Sequence, residues 1–96
     1  MGQLLYGVPP EVFELDDRTL AHIEIVVIAK LRRNESFALS MAGDDGSRTA
    51  IWLSAASTVQ FRYGDAAHPI NRAWLEELME SANTPSGLRV TPEPKP

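Results

Sequence analysis

The 96-residue chain has no cysteine, few aromatic residues and fewer basic than acidic side chains. Without cysteine it cannot form a disulfide, a thiolate metal site or a cysteine nucleophile. The formal net charge of −4 does not favour non-specific binding to nucleic acid, because that binding depends on Lys and Arg at the phosphates. The length fits one domain and leaves little room for the deep cleft that most cofactor enzymes use.

Long hydrophobic runs are also missing. The longest apolar run covers residues 25–29, far short of the roughly 20 residues that span a bilayer. Residues 1–15 contain neither a basic segment nor a long apolar run, which argues against a signal peptide. We therefore expect a cytoplasmic protein with no membrane contact.

Two helices are predicted from apolar periodicity and end signals. The first begins at Asp16 or Asp17 and ends before Asn34, where a left-handed residue would follow the helix. Its acidic start and basic end match the helix macrodipole, so these charges have a structural explanation. The second helix begins after Asn71, a good N-cap residue, and ends near Asn83.

Strand patterns fill the rest of the chain. Residues 3–6 and 12–15 predict an N-terminal hairpin, and residues 36–41, 49–54 and 58–63 alternate as an antiparallel meander. Residues 88–90 can add a last short strand. The expected fold is therefore α+β, an antiparallel sheet of five to six strands in the order ββαβββα(β), with two helices mainly on one face. Residues 1–90 form a single domain, and the Pro-rich C-terminal tail 91–96 is expected to fray.

Catalytic and ligand-binding patterns are weak throughout. The sequence has neither glycine-rich phosphate motif, and His22 and His68 do not have the spacing of zinc ligands. We interpret His22 as a hydrogen-bonded residue at the surface or the boundary of the first helix. Asp44 and Asp45 resemble part of a calcium loop but lack its later ligands, so a hairpin turn is the better interpretation. We predict no catalytic residue, no metal site and no cofactor.

One face of the predicted meander is unusual. Opposite the apolar side chains, it carries small and mildly polar residues around one indole: Ser36, Ala38, Ser40, Ala50, Trp52, Ser54, Gln60 and Arg62. A solvated sheet face usually carries more charge, so this composition indicates a covered face. The cover can be the N-terminal hairpin, a second copy of the chain or a partner. Alternatively, Trp52 packs beside Arg62 as a cation–π pair or lies under a loop.

The leading functional prediction is a non-enzymatic interaction module, which binds a protein partner or itself as a homodimer. Its predicted interaction residues are Trp52, Arg62, Gln60 and Ser40, because Trp and Arg are enriched in interface hot spots. The alternative is a nucleic-acid-associated accessory protein that uses Arg48, Arg62, Arg72 and Arg89. A contiguous arginine face would favour nucleic acid, and a neutral face centred on Trp52 would favour protein.

Most of the chain resembles a family of small actinobacterial proteins of about this length. The resemblance rests on MGQLLYG at residues 1–7, residues 16–40, SRTAIWL at 47–53, TVQFRYG at 58–64 and residues 70–94. Some members carry the label "ATP-dependent DNA ligase", which implies adenylation of a lysine in a Lys-x-Asp-Gly motif. Here Asp45-Gly46 is preceded by Gly43 at the lysine position, and Lys30 has no Asp-Gly after it. We expect no ligase activity from this chain alone. The label connects the nucleic-acid alternative to DNA ligation or repair.

Overall fold

The computed structural model describes residues 1–43, 45–64 and 69–96, so Asp44 and His68 lie outside the described residues. The helices are α1 (Asp17–Arg32) and α2 (Arg72–Ala82). The strands are β1 (Gly2–Tyr6), β2 (Glu11–Leu15), β3 (Phe37–Ala42), β4 (Arg48–Leu53), β5 (Val59–Arg62) and β6 (Leu88–Arg89). The predicted α+β class and element order are confirmed.

The helix ends lie where the capping residues predict them. The Asp16 carboxylate accepts a hydrogen bond from the backbone N–H of Thr19, and the Asn71 side chain accepts one from that of Trp74. Each bond satisfies a donor that the first helical turn would otherwise leave free. Asn34 follows α1 with a φ of 61°, the left-handed conformation expected after a helix.

The strands form two sheets of three strands, so the predicted single sheet is wrong. Sheet A has the order β2-β1-β5, and sheet B has the order β4-β3-β6. The hairpins β1–β2 and β3–β4 are antiparallel as predicted. The third strand of each sheet differs, because β5 pairs antiparallel with β1 and β6 pairs parallel with β3.

The predicted meander is wrong because β5 does not pair with β4. After β4 the chain forms a turn and continues into sheet A. The backbone N–H of Ser57 donates to the Ser54 carbonyl, and the Ser57 hydroxyl accepts from the N–H of Ser54. The N–H of Gly7 then donates to the Thr58 carbonyl at the start of the β1–β5 ladder. The alternation in residues 58–63 indicates which face of the strand is apolar, but it does not indicate which strand lies beside it. The sequence therefore could not show whether β5 pairs with β4 or with β1.

One apolar core joins both sheets to the helices. Leu4 in β1 is fully buried, and its register partners Phe13 and Phe61 pack against the same core. Sheet B contributes buried side chains from alternate positions, and α1 and α2 contribute their inner faces: Leu39, Leu53, Leu88, Ile23, Val27, Trp74 and Leu78. The core therefore covers one face of sheet B and leaves the other face to solvent.

The C-terminal segment is held on the helices, unlike the expected frayed tail. The indole N–H of Trp74 donates to the Thr91 carbonyl at 3.1 Å. The Asn71 amide donates to the Glu93 carboxylate and to the Pro94 carbonyl. Arg18 in α1 pairs with Glu93 through two hydrogen bonds, of 2.8 and 2.7 Å. Tertiary contacts therefore override the flexible composition of residues 91–94.

Candidate functional site

The outward face of sheet B combines one large aromatic side chain with small residues and arginines. We call this surface the Trp52 face and define it by Ala38, Ser40, Arg48, Ala50, Trp52 and Arg89. These residues share one side because side chains alternate along each strand and register partners face the same way. The buried residues Leu39, Leu53 and Leu88 occupy the alternate positions.

Trp52 is the most prominent residue of the face. It is 59% exposed, although aromatic residues of this size are usually well buried. Its backbone is fixed, since the Trp52 carbonyl accepts hydrogen bonds from the Tyr6 and Ser57 hydroxyls. A rigid strand thus presents an indole that the fold itself does not cover. At this exposure the N-terminal hairpin does not cover the indole. The predicted cation–π partner, Arg62, lies in sheet A, and among the described residues no cation lies over the Trp52 ring.

The two arginines flank the serine at the centre of sheet B. Ser40 is the register partner of Ala50 in β4 and of Arg89 in β6. The Arg48 guanidinium lies 3.4 Å from the Ser40 hydroxyl, and Ser40 is only 8% exposed although it faces outward. Neither Arg48 nor Arg89 forms an ion pair within the described ranges. Among the described residues, both guanidinium groups therefore lack a carboxylate partner.

A groove of about 410 Å³ adjoins Trp52 at one end of the face. Its lining includes Trp52, Ala38, Phe37, Pro85, Gly87 and Lys30. Lys30 is 7% exposed, and its ammonium group donates to Asn83 at 2.7 Å and pairs with Glu35 at 3.1 Å. The groove therefore has both apolar and polar walls, the latter from Ser36, Asn83 and Thr84, together with one ammonium group that the chain already neutralises.

Gly87 makes the floor of this groove possible. Its φ is 83°, and an added Cβ would lie 2.4 Å from the Ala38 carbonyl oxygen. Only glycine allows the chain to approach β3 this closely in that conformation. The position of Gly87 beside Trp52 could not be predicted from the sequence, because the parallel β3–β6 pairing has no local sequence signal.

The predicted interaction residues divide between two surfaces. Trp52 and Ser40 lie together on the Trp52 face, whereas Gln60 and Arg62 lie on the outward face of sheet A. Of the four arginines predicted for nucleic acid, Arg48 and Arg89 also belong to the Trp52 face. Arg72 is the exposed first residue of α2. The structure thus combines half of each predicted set and does not gather the four arginines.

His22 has a structural environment. It is fully buried, its Nδ1 lies 2.7 Å from the Arg18 carbonyl, and its Nε2 accepts the backbone N–H of Asn71 at 2.9 Å. These partners require a neutral ring with the proton on Nδ1. The ring also packs on Trp74, with centroids 4.6 Å apart. Both nitrogens are occupied, so the hydrogen-bonded role is confirmed, although the residue lies in the interior and not at a boundary.

One phenol, Tyr63, and one carboxyl group, Glu93, have shifted pKa values that structural hydrogen bonds explain. The Tyr63 hydroxyl donates to Glu24, and burial together with this carboxylate raises the pKa of Tyr63 well above its usual value. Hydrogen bonds from Arg18 and Asn71 lower the pKa of Glu93 to about 2. Among the described residues, no group of three or more acidic or histidine side chains is placed to hold a metal ion. No helix in the described ranges has the length and hydropathy to cross a bilayer.

A second apolar surface lies on α1. Ile25 and Ile28 are 38% and 44% exposed, and Ile28 lines a groove of about 490 Å³ with Leu31, Val59 and Phe61. This surface offers an independent position at which to test where a partner binds.

These features define a small α+β domain that presents an indole and two arginines on one open sheet face. The chain belongs to the family described as Domain of unknown function (DUF7882), whose model matches residues 1–93. No curated protein matches the chain, and no solved structure does. The family description names no activity, so the functional argument rests on the surface.

Proposed function

We propose that this protein is a non-enzymatic interaction module that docks a protein partner on the Trp52 face. The observation that carries the proposal is the 59% exposure of Trp52 on a rigid strand with a small-residue floor. Tryptophan and arginine are over-represented among residues that dominate binding energy, and small neighbours let a partner approach the sheet closely. The face thus combines an aromatic anchor residue, two positive charges and a floor of small residues that a partner can approach.

Charge favours a protein over a nucleic acid as the partner. The Trp52 face carries two arginines and no carboxylate, whereas the whole chain has a net charge of −4. The rest of the chain therefore has a formal charge of −6 (−4 less the +2 of the two arginines), which opposes a polyanion that extends beyond the face. A short acidic protein segment needs only the face itself and avoids this repulsion.

The nucleic-acid alternative keeps one supporting observation. Proteins that bind single strands combine aromatic side chains for stacking with basic side chains for phosphates, and Trp52 lies on the same face as Arg48 and Arg89. Two cations give a small electrostatic contribution, so this alternative ranks second. A role beside DNA ligation or repair rests only on the label that some members of the resembled actinobacterial family carry, and it remains part of this second proposal.

Differential capture from the native host tests the leading proposal. The wild-type chain, Trp52→Ala and Gln60→Ala are immobilised at equal density, and the proteins retained from lysate are quantified by mass spectrometry. Gln60 is an exposed residue on sheet A and provides the matched control. We expect one or more proteins to be lost with Trp52→Ala and kept with Gln60→Ala.

A third variant tests whether the partner binds the apolar groove on α1 and not the Trp52 face. Ile28→Ser changes the apolar groove on α1 and leaves the Trp52 face intact. Loss of the same proteins with Ile28→Ser but not with Trp52→Ala would contradict the proposed surface. Sedimentation of the wild-type chain at several concentrations shows whether the partner is a second copy.

A further inference from the structure

We infer that the Trp52 face recognises an extended acidic segment in which carboxylates lie two and four residues away from a hydrophobic residue. This inference rests on the proposed function and adds the chemistry and spacing of the partner. It follows from the order of three rows of side chains across sheet B, which the strand register fixes.

The first row contains the anchor position. Trp52 is the register partner of Ala38, and Gly87 approaches the Ala38 carbonyl closely from the other side. The groove of about 410 Å³ opens here, with Phe37 and Pro85 among its lining residues. An aromatic or long aliphatic side chain would bury its apolar surface against the indole and the floor of small residues.

The second and third rows contain the charges. Ala50, Ser40 and Arg89 form the second row, and Arg48 pairs with Ala42 in the third. Each guanidinium can bind a carboxylate through two parallel hydrogen bonds. The described residues supply neither Arg48 nor Arg89 with an ion pair, so a ligand carboxylate does not have to displace an internal partner.

The distance between rows of side chains on sheet B determines which residues of a bound peptide can reach them. Successive rows on one face of a sheet are two residues apart, roughly 6.7 Å. An extended peptide that lies along the strands has the same rise, so its alternate side chains meet alternate rows. An anchor beside Trp52 therefore places the residue two positions away over Ser40, beside Arg89 and the Arg48 guanidinium that contacts the Ser40 hydroxyl. The residue four positions away lies over the row from which the Arg48 side chain extends. Intervening residues point to solvent and are free to vary.

A peptide that reads the same in both directions tests this spacing without assuming chain polarity. The probe is a fluorescein-labelled nonapeptide with Phe at its centre and Glu at two and four positions on either side, separated by Ser. The matched control has the same composition with Glu one and three positions from Phe. In an extended control peptide, the carboxylates point away from the face that presents Phe.

We expect the even-spaced peptide to bind with a Kd of roughly 100 μM in low salt, as measured by fluorescence anisotropy. The odd-spaced peptide should bind at least about fivefold more weakly, and Arg48→Gln and Arg89→Gln should each weaken the even-spaced peptide several-fold. Arg72→Gln, on α2, should leave its affinity unchanged. Circular dichroism melts of all three variants confirm that they fold.

Equal binding of the two peptides, or no binding at millimolar concentration, would overturn the inferred motif. If Trp52-dependent capture of a host protein persists in that case, the proposed function stands and only the ligand chemistry is wrong. If Trp52→Ala changes neither capture nor peptide binding, the proposed surface fails as well. Tighter binding of a single-stranded oligonucleotide than of either peptide would replace the inference by the nucleic-acid alternative.

Discussion

The ring of His22 accepts the backbone N–H of Asn71 at 2.9 Å, and through this bond α1 holds the residue that caps α2. His22→Ala should leave that N–H buried without an acceptor and open a cavity beside Trp74. We expect a loss of roughly 2–4 kcal/mol in the free energy of unfolding. Urea denaturation measures it, with Glu76→Ala on the exposed side of α2 as the control. A loss no larger than that of the control would contradict the structural role of His22.

Acid should loosen the C-terminal segment through Glu93. The Arg18 and Asn71 hydrogen bonds lower the pKa of Glu93 from about 4.5 to about 2 in the folded chain. A carboxyl with a lowered folded-state pKa stabilises the fold above its unfolded pKa and loses that contribution as the pH falls through the folded value. Wild type and Glu93→Gln should therefore differ in unfolding free energy at pH 6 and converge as the pH approaches 2. A constant difference across this range would show that Glu93 acts without its charge.

Trp52 should matter little for stability. Because its side chain is exposed, Trp52→Ala should cost about 1 kcal/mol or less. Leu53→Ala, at the next and fully buried position, should cost about 2–5 kcal/mol. Thermal melts of the two neighbouring variants make the comparison. A severe loss with Trp52→Ala would show that the indole stabilises the fold, and the binding role of the face would lose its main support.

Alanine substitutions at two glycines should distinguish the stability cost of backbone strain from that of a steric clash. Gly46 and Gly87 both have positive φ, but an added Cβ meets no atom within 4 Å at Gly46 and lies 2.4 Å from a carbonyl oxygen at Gly87. Gly46→Ala should therefore cost only the left-handed backbone term, roughly 1–2 kcal/mol. Gly87→Ala should cost clearly more, because β6 must move away from β3. Equal losses in denaturant titrations would mean that the β3–β6 contact yields easily.

Nucleic-acid binding should be weak. Arg48, Arg62, Arg72 and Arg89 occupy three separate surfaces of an acidic chain, so few phosphates can be neutralised together. We expect a Kd above ~10 μM for duplex or single-stranded DNA near physiological salt, in the non-specific range. Electrophoretic mobility shifts with Arg48→Gln as a comparison measure it. Sub-micromolar affinity that depends on Arg48 would promote the nucleic-acid alternative.

Local signals allowed the helices and hairpins to be predicted from sequence. Asp16 and Asn71 cap helices through bonds to residues three positions away, and Asn34 ends α1 by its own backbone preference. The fold class and element order followed from these short-range features together with the alternation of the strands.

Strand pairing between distant parts of the chain determines which residues lie on the Trp52 face, and this pairing could not be predicted from the sequence. Trp52 and Ser40 were predicted to share a face because they lie in one hairpin, whose register is locally determined. Arg62 was placed beside Trp52 on the assumption that consecutive strands are neighbours, yet its strand pairs with β1. Arg89 entered the face instead, through a parallel pairing for which the two-residue strand β6 carries no pattern.

This pairing scheme also has a consequence for how the chain folds. Each sheet consists of a local hairpin and a third strand that lies more than half the chain away in sequence. Hairpins close in microseconds, whereas contacts across such separations require a large loss of chain entropy before they become favourable. We therefore expect both hairpins to form early and the third strands to join in the rate-limiting step, so that destabilising mutations in β5 and β6 slow folding as well as accelerate unfolding.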